Sequence, residues 1–280
     1  GDEVMGMLDA AIGGMSEPVA DSAMVPTWCL SRMAAEDGVK VLLSGTGGDE
    51  VFAGYPRYVA SSWRRRLLYR LPAALRQLIG QDLPVSGTLA ARMLHPALDM
   101  VVYAGGSPAL AAQVLPSGLD MRSFLGQMVA EIYPQARPGT PALYAHMEFD
   151  LQVYLPDLLL MLLDQLTMAH TIEGRVPLLD VDLLAASYAV APEFHANPHC
   201  ADTRKLMRLM ARRKLDERTF STPKQGFSGP VRSWIEANRQ VFRERVMTVR
   251  DVPGLDRVQP EAWWNKGAAE RNPYWAQEVF

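Results

Sequence analysis

Ser44-Gly45-Thr46-Gly47-Gly48-Asp49-Glu50 sets three glycines and two adjacent carboxylates directly after the apolar, β-branched stretch Val39-Lys40-Val41-Leu42-Leu43. Residues without a Cβ let the backbone take positive φ and come close to a ligand, leaving N–H groups to face an anion. Phosphate suits such a loop. No Lys-Ser or Lys-Thr follows, so it is not a Walker loop, and Glu50 stands where a dinucleotide fingerprint needs its third glycine. Asp49 and Glu50 would repel a triphosphate unless a divalent cation lay between them, and Mg2+ typically bridges one or two carboxylates and phosphate oxygens. ATP here therefore implies Mg2+, with Asp49 and Glu50 as the metal candidates. The alternative is that both acids only complement the dipole of the next helix.

Farther along, Asp202 or Thr203 can cap a helix running toward Lys214, which puts Lys205 in its first turn. A cation there opposes the helix dipole, and a bound anion would offset that cost. The competing reading is a solvated basic face of Lys205, Arg208 and Arg212 opposite Leu206 and Met210. In Glu173-Gly174-Arg175-Val176-Pro177, the proline would break a helix, and Glu173 and Arg175 could simply pair near a chain reversal.

Ser44 through Tyr55 resembles the second signature of the glutamine-dependent asparagine synthetases. The likeness extends upstream to Glu17-Pro18, Asp21-Ser22 and Pro26-Thr27, and downstream to Asp164 through Asp180, which resembles a block ending in Arg-x-Pro-Phe-Leu-Asp. Arg204-Lys205-Leu206 and Pro223-Lys224-Gln225-Gly226-Phe227 follow in the same order. The resemblance implies ATP-dependent adenylation of the aspartate side-chain carboxylate, then amide formation with ammonia from glutamine. It implies that Ser44 and Gly45 hold ATP, that Gly47, Gly48 and Arg175 line the substrate site, and that Asp49 and Glu50 serve Mg2+. Lys205, Thr46 and Glu173 are the catalytic candidates. Family members usually carry an acid at the position of Thr46, and threonine cannot supply that charge. Other amide-forming ligases or amidotransferases of the same superfamily, and a non-catalytic nucleotide-binding remnant, are the competing readings.

The resemblance also implies a glutaminase domain upstream with a nucleophilic cysteine, whereas position 1 is glycine and the first cysteine is Cys29. It implies a Ser-Gly-Gly-x-Asp-Ser pyrophosphate loop after an earlier strand, and Gly13-Gly14-Met15-Ser16 has neither that strand nor the aspartate. The chain therefore reads as the C-terminal part of a synthetase domain, inactive alone, with a homodimer allowed.

The elements that must position these residues read as an α/β start and a long helical remainder. A helix near 25–37 groups Leu30, Met33 and Ala34 on one apolar face, with Gly38 as its C-cap. Helix, strand and helix in succession fit a parallel sheet, where ligands bind beyond the carboxyl ends of strands. The expected fold is a partial adenine-nucleotide α-hydrolase-like core, a Rossmann-like parallel sheet, over 1–58. A variable helical region over 59–147, a helical part of the synthetase domain over 148–250 and a tail over 251–280 follow. From Ala142 to Ala191 the Leu/Met/Ala content favours buried helices. The 280 residues are 49% hydrophobic and 21% charged with a net charge of −3, ordinary for a soluble protein and without the footprint of a nucleic-acid or membrane binder. The longest aliphatic run, Leu158 to Leu163, falls far short of the roughly 20 residues of a membrane span. Isolated Cys29 and Cys200, with no signal-peptide pattern, suit a cytoplasmic protein.

Overall fold

The computed structural model describes residues 2–17, 19, 21–55, 58, 142–196, 203–216, 227, 229–251, 259–261 and 264–265. Residues 59–141 of the expected variable region, most of the tail, Cys200, Asp202 and the Pro223 to Gly226 match lie outside the described residues. Helices α1 (Asp2–Gly13) and α2 (Met24–Glu36) precede strand β1 (Val41–Leu43) and the single-turn α3 (Gly48–Val51). Helix α4 (Ala142–Phe149) continues through a π-helical stretch (Asp150–Leu160) into α5 (Met161–Met168), which turns into β2 (Glu173–Arg175). A 3-10 turn (Pro177–Leu179) leads to α6 (Val181–Tyr188), α7 (Pro192–His195) and α8 (Lys205–Ala211), and then α9 (Val231–Ala237) and α10 (Arg239–Met247). The result is a mixed α/β arrangement that is mostly helical, as expected. Among the described residues no helix is long and apolar enough to cross a membrane.

Helix α2 ends as its sequence requires. Gly38 takes φ +77, the Gly38 N–H donates to the Ala35 carbonyl (2.9 Å), and the Val39 N–H donates to Ala34 (2.9 Å), so the chain reverses directly into β1. The face of α2 that packs is not the one its apolar spacing suggests. Leu30 and Met33 are 51% and 56% exposed, while Met24, Val25, Thr27 and Ser31 are buried. Thr27 and Ser31 can enter the core because their hydroxyls donate to the carbonyls of Ala23 (2.7 Å) and Thr27 (2.8 Å) one turn earlier.

Strands β1 and β2 run parallel, pairing Val41 with Glu173, Leu42 with Gly174 and Leu43 with Arg175. Strand β2 escapes periodicity analysis, being three residues long and built of Glu, Gly and Arg, poor strand formers. It exists because α5 lies directly on it: a Cβ at Gly174 would stand 3.2 Å from Leu163 and 3.3 Å from the Thr167 hydroxyl. Leu42 and Gly174 therefore share the covered face, and Leu43, on the other face, is 74% exposed. The same register aligns the carboxyl ends of both strands.

The main core joins Leu8 of α1, Met24 and Val25 of α2, Leu162 and Leu166 of α5, Ile235 of α9, Phe242 of α10 and Trp264. A second cluster, Ala53, Tyr58, Tyr144, Met147 and Ala196, lies beside α3. Between α4 and α5 the π-helical stretch is long for that geometry, and Pro156 within it both lacks an N–H and crowds the carbonyl a turn upstream. Leu166 is fully buried, so Leu166→Ala is expected to lower unfolding stability by about 2–5 kcal/mol in urea titration, whereas Leu30→Ala changes it by less than about 0.5.

Candidate functional site

The loop leaves the carboxyl end of β1 still tied to β2, since the Ser44 N–H donates to the Arg175 carbonyl (2.8 Å). The hydroxyls of Ser44 and Thr46 share a hydrogen bond of 2.7 Å, and the Thr46 N–H donates to Ser44 Oγ (3.2 Å). A turn closes as the Gly48 N–H meets the Gly45 carbonyl (3.1 Å), and Gly47 caps α3 at φ +90. The three glycines are there for different reasons. A Cβ on Gly45 would meet nothing within 4 Å among the described residues. A Cβ on Gly47 would fall 2.2 Å from Leu179 Cδ2, and one on Gly48 2.8 Å from Leu178 Cδ1. Close approach at Gly47 and Gly48 is thus made by leucines of the 3-10 turn, on the side where a Cβ would project.

The two acids point to different surroundings. Asp49 folds back over Gly54, where a Cβ would lie 1.7 Å from Oδ1, and the Gly54 N–H donates to the Asp49 carbonyl (2.7 Å). This tight reversal puts Ala53 at φ +54. Asp49 is 27% exposed, and its Oδ1 lies 3.9 Å from Arg204 Nε. Glu50 is 1% exposed and accepts a hydrogen bond from the Tyr55 hydroxyl (2.5 Å). Burial pushes its carboxyl above the ordinary carboxylate value, the Tyr55 bond opposes that, and Asp49 and Asp150 add to the rise. Asp150, buried at the start of the π-helical stretch, accepts from the Tyr58 hydroxyl, and Tyr58 stacks on His146. Of the adjacent pair, Asp49 is the carboxylate a cation from solvent can reach. Among the described residues no group of three His, Cys, Asp or Glu side chains could hold a metal. A single partly exposed carboxylate fits an ion that keeps its waters and shares its remaining positions with phosphate oxygens, which is the habit of Mg2+.

Helix α8 begins at Lys205, and Arg204, not the expected Thr203, is its N-cap, at φ +56, with no side-chain cap bond. The helix stops at Ala211, short of Lys214. Lys205 Nζ donates to the Glu193 carbonyl (2.7 Å), so a backbone oxygen of α7 offsets its charge here. Helix α6 also touches α3, and α7 touches α6: Ser187 Oγ donates to the Val51 carbonyl (2.6 Å), and His195 Nε2 lies 2.9 Å from the Ser187 carbonyl. A carbonyl only accepts, so Nε2 carries the proton, and Nδ1 is a buried acceptor without a partner among the described residues. Burial holds the His195 imidazole below its ordinary value.

Glu173 and Arg175 form the pair that their spacing allows, at 2.8 and 3.2 Å and both more than half exposed. The Arg175 hydrogen bond holds the Glu173 carboxyl below the usual range. Ser44, Gly45, Thr46, Gly47, Gly48 and Asp49 are brought together, and Arg204 joins them. Gly54, Leu178, Leu179, Arg204, Ser187 and His195 are the contributors the sequence reading did not single out. Gly54, the two leucines and Arg204 do fall inside the motifs that carry the resemblance.

A family model described as asparagine synthase matches residues 1–278. The chain belongs to the asparagine synthase family. A Mycobacterium tuberculosis protein, provisionally named asparagine synthetase (glutamine-hydrolyzing), is 32% identical over 259 residues, covering 84% of this chain and 36% of its own length. Asparagine synthetase (glutamine-hydrolyzing) 1 of Bacillus subtilis is 24% identical over 247 residues, covering 84% of this chain and 38% of its length. A Methanocaldococcus jannaschii protein provisionally named as a second asparagine synthetase is 42% identical over 73 residues, covering 26% of this chain and 14% of its own. The chain thus spans little more than a third of the length of the relatives that match most of it. No solved structure matches it significantly.

In this member of the asparagine synthase family the loop glycines differ in what surrounds them. Gly47→Ala meets Leu179 and a left-handed backbone, and should cost about 2 kcal/mol or more in urea unfolding, while Gly45→Ala stays within about 0.5. Equal costs would refute the division. His195 gives a pH signature. Between the ordinary imidazole value of about 6.5 and the lower one in the fold, the unfolded chain binds a proton that the folded chain refuses. Stability should therefore fall as pH drops through that window, and less steeply in His195→Gln. Identical pH slopes would assign the loss to other groups.

Proposed function

We propose that this chain forms part of an ATP-dependent carbon–nitrogen ligase that makes asparagine from aspartate. The observation that carries this reading is the anion-suited loop at the aligned carboxyl ends of two parallel strands, with one reachable carboxylate and two consecutive cations at its border. In this reading β1, within the expected core over 1–58, and β2, which joins it from outside those bounds, are part of a larger Rossmann-like sheet, supported by the exposure of Leu43, because parallel sheets are normally covered on both faces.

The aspartate β-carboxylate attacks the α-phosphorus of ATP, pyrophosphate leaves, and ammonia then displaces AMP from the acyl carbon to give the amide. Ser44 and Gly45 receive the nucleotide, the Gly45 side being open. Asp49 would hold Mg2+, which when bound would supply charge neutralisation for the pyrophosphate. Glu50, enclosed and bonded to Tyr55, supports the loop from behind. Lys205 leaves the Glu193 carbonyl to stabilise charge growing on the α-phosphate. Arg175 and Glu173 border the aspartate side. Glutamine supplies the ammonia through an upstream glutaminase domain, in the cytoplasm and with a homodimer allowed.

Pyrophosphate release from ATP tests this, measured with aspartate and ammonium on the chain as given and on the chain preceded by a family pyrophosphate loop. Aspartate-dependent release, lost by about 10²-fold or more in Lys205→Met, is expected. ATP binding without release for any carboxylate would favour a nucleotide-binding remnant. The Thr46 hydroxyl, bonded to Ser44, gives specific support to a second reading, a related ligase with another carboxylate. Thr46→Glu should then raise ammonia-dependent turnover with aspartate, and an unchanged rate would remove Thr46 from the site.

A further inference from the structure

The consecutive cations Arg204 and Lys205 part company. Lys205 is engaged by the Glu193 carbonyl (2.7 Å). Arg204 instead sits against the loop: its N–H donates to the Ala53 carbonyl (3.4 Å), and its Nε stands 3.9 Å from Asp49 Oδ1. That distance is an ion contact and too long for a hydrogen bond. The side chains are 30% and 27% exposed, and Arg204 Nε itself is buried with no hydrogen-bond partner among the described residues. Arg204 holds this place through a left-handed backbone, φ +56 and ψ +30, rare for a residue with a Cβ. A guanidinium at that spot does two things. It occupies the one loop carboxylate that solvent cations can reach, and it presents a planar fork matched to phosphate oxygens within reach of the same loop.

We propose that Arg204 is a phosphate-binding residue that holds Asp49 while the site is empty and yields it to the metal when a metal–polyphosphate enters. This rests on the nucleotide reading above and assigns the incoming charge to two partners: Asp49 takes the cation and Arg204 takes a phosphate oxygen. The exchange keeps the loop's charge balanced in both states. It predicts opposite effects of Arg204 on the two ligands, whereas a purely structural role moves both in one direction.

The test uses Arg204→Asn, which tolerates the left-handed backbone and carries no charge, beside Arg204→Lys, which keeps the charge and loses the fork. Mn2+ alone, followed by electron paramagnetic resonance on the whole chain, should bind about 2- to 5-fold tighter in Arg204→Asn, as expected for removing a weak competing ion pair. Asp49→Asn should abolish that binding in either background. ATP with saturating Mg2+, followed by calorimetry, should bind about 10- to 100-fold weaker, as for a lost hydrogen bond to a charged group. Arg204→Lys should fall between for ATP and match the parent for Mn2+. Parallel weakening of both ligands, or no change in either, overturns the proposal. If the parent binds Mn2+ but no ATP, the nucleotide reading and the phosphate half both fail. Tighter Mn2+ binding in Arg204→Asn would then support only the hold on Asp49.

Discussion

The side chains of Leu178 and Leu179 fill the space that Cβ atoms would need at Gly48 and Gly47, and the shape of the ligand loop follows from that contact. It locks two segments far apart in sequence at the carboxyl end of the β1–β2 pair, where the Ser44 N–H already reaches the Arg175 carbonyl. With Gly47 held in a left-handed conformation, α3 starts immediately, and Asp49 and Glu50 fall in its first turn. The turn after α3 then seats Asp49 over Gly54 and ties Glu50 to Tyr55. Packing therefore sends two adjacent carboxylates into different environments, one toward solvent and Arg204, the other into the protein.

Electrostatics follow from that division. A buried carboxyl near Asp150 has its ionised form disfavoured by desolvation, and its tyrosine partner offsets part of that cost. Such a group suits a support better than a ligand for a hydrated ion. The cations are handled in the same economical way. Lys205 rests on a carbonyl of α7, and Arg204 Nε lies 3.9 Å from Asp49 Oδ1. Ser187 and His195, bonded in series behind Val51, tie α3 to α6 and α6 to α7.

Much of this was legible in the sequence, and the gaps have physical causes. An apolar run before a glycine loop, the Gly38 cap and the order of the motifs are local features, and they appear where they should. The α2 face was misleading because Thr27 and Ser31 satisfy their hydroxyls within the helix and enter the core, leaving Leu30 and Met33 outside. Strand β2 was invisible because Gly174 owes its place to Leu163 and Thr167 of α5, a tertiary effect. The roles of Gly47 and Gly48 read as ligand access, whereas their missing side chains make room for leucines more than a hundred residues away. The directions of Arg204 and Lys205 could not be read at all, since the left-handed Arg204 replaces the side-chain cap that Thr203 suggests.

The central claim is that the loop from Ser44 to Asp49 is where a metal-bound nucleotide sits. Amide hydrogen exchange of the whole chain with and without ATP and Mg2+ tests it most directly. Slower exchange concentrated in 44–50, with a second protected segment at 203–206, is the predicted result. Protection elsewhere with no change in 44–50, or none anywhere at saturating nucleotide, would contradict it.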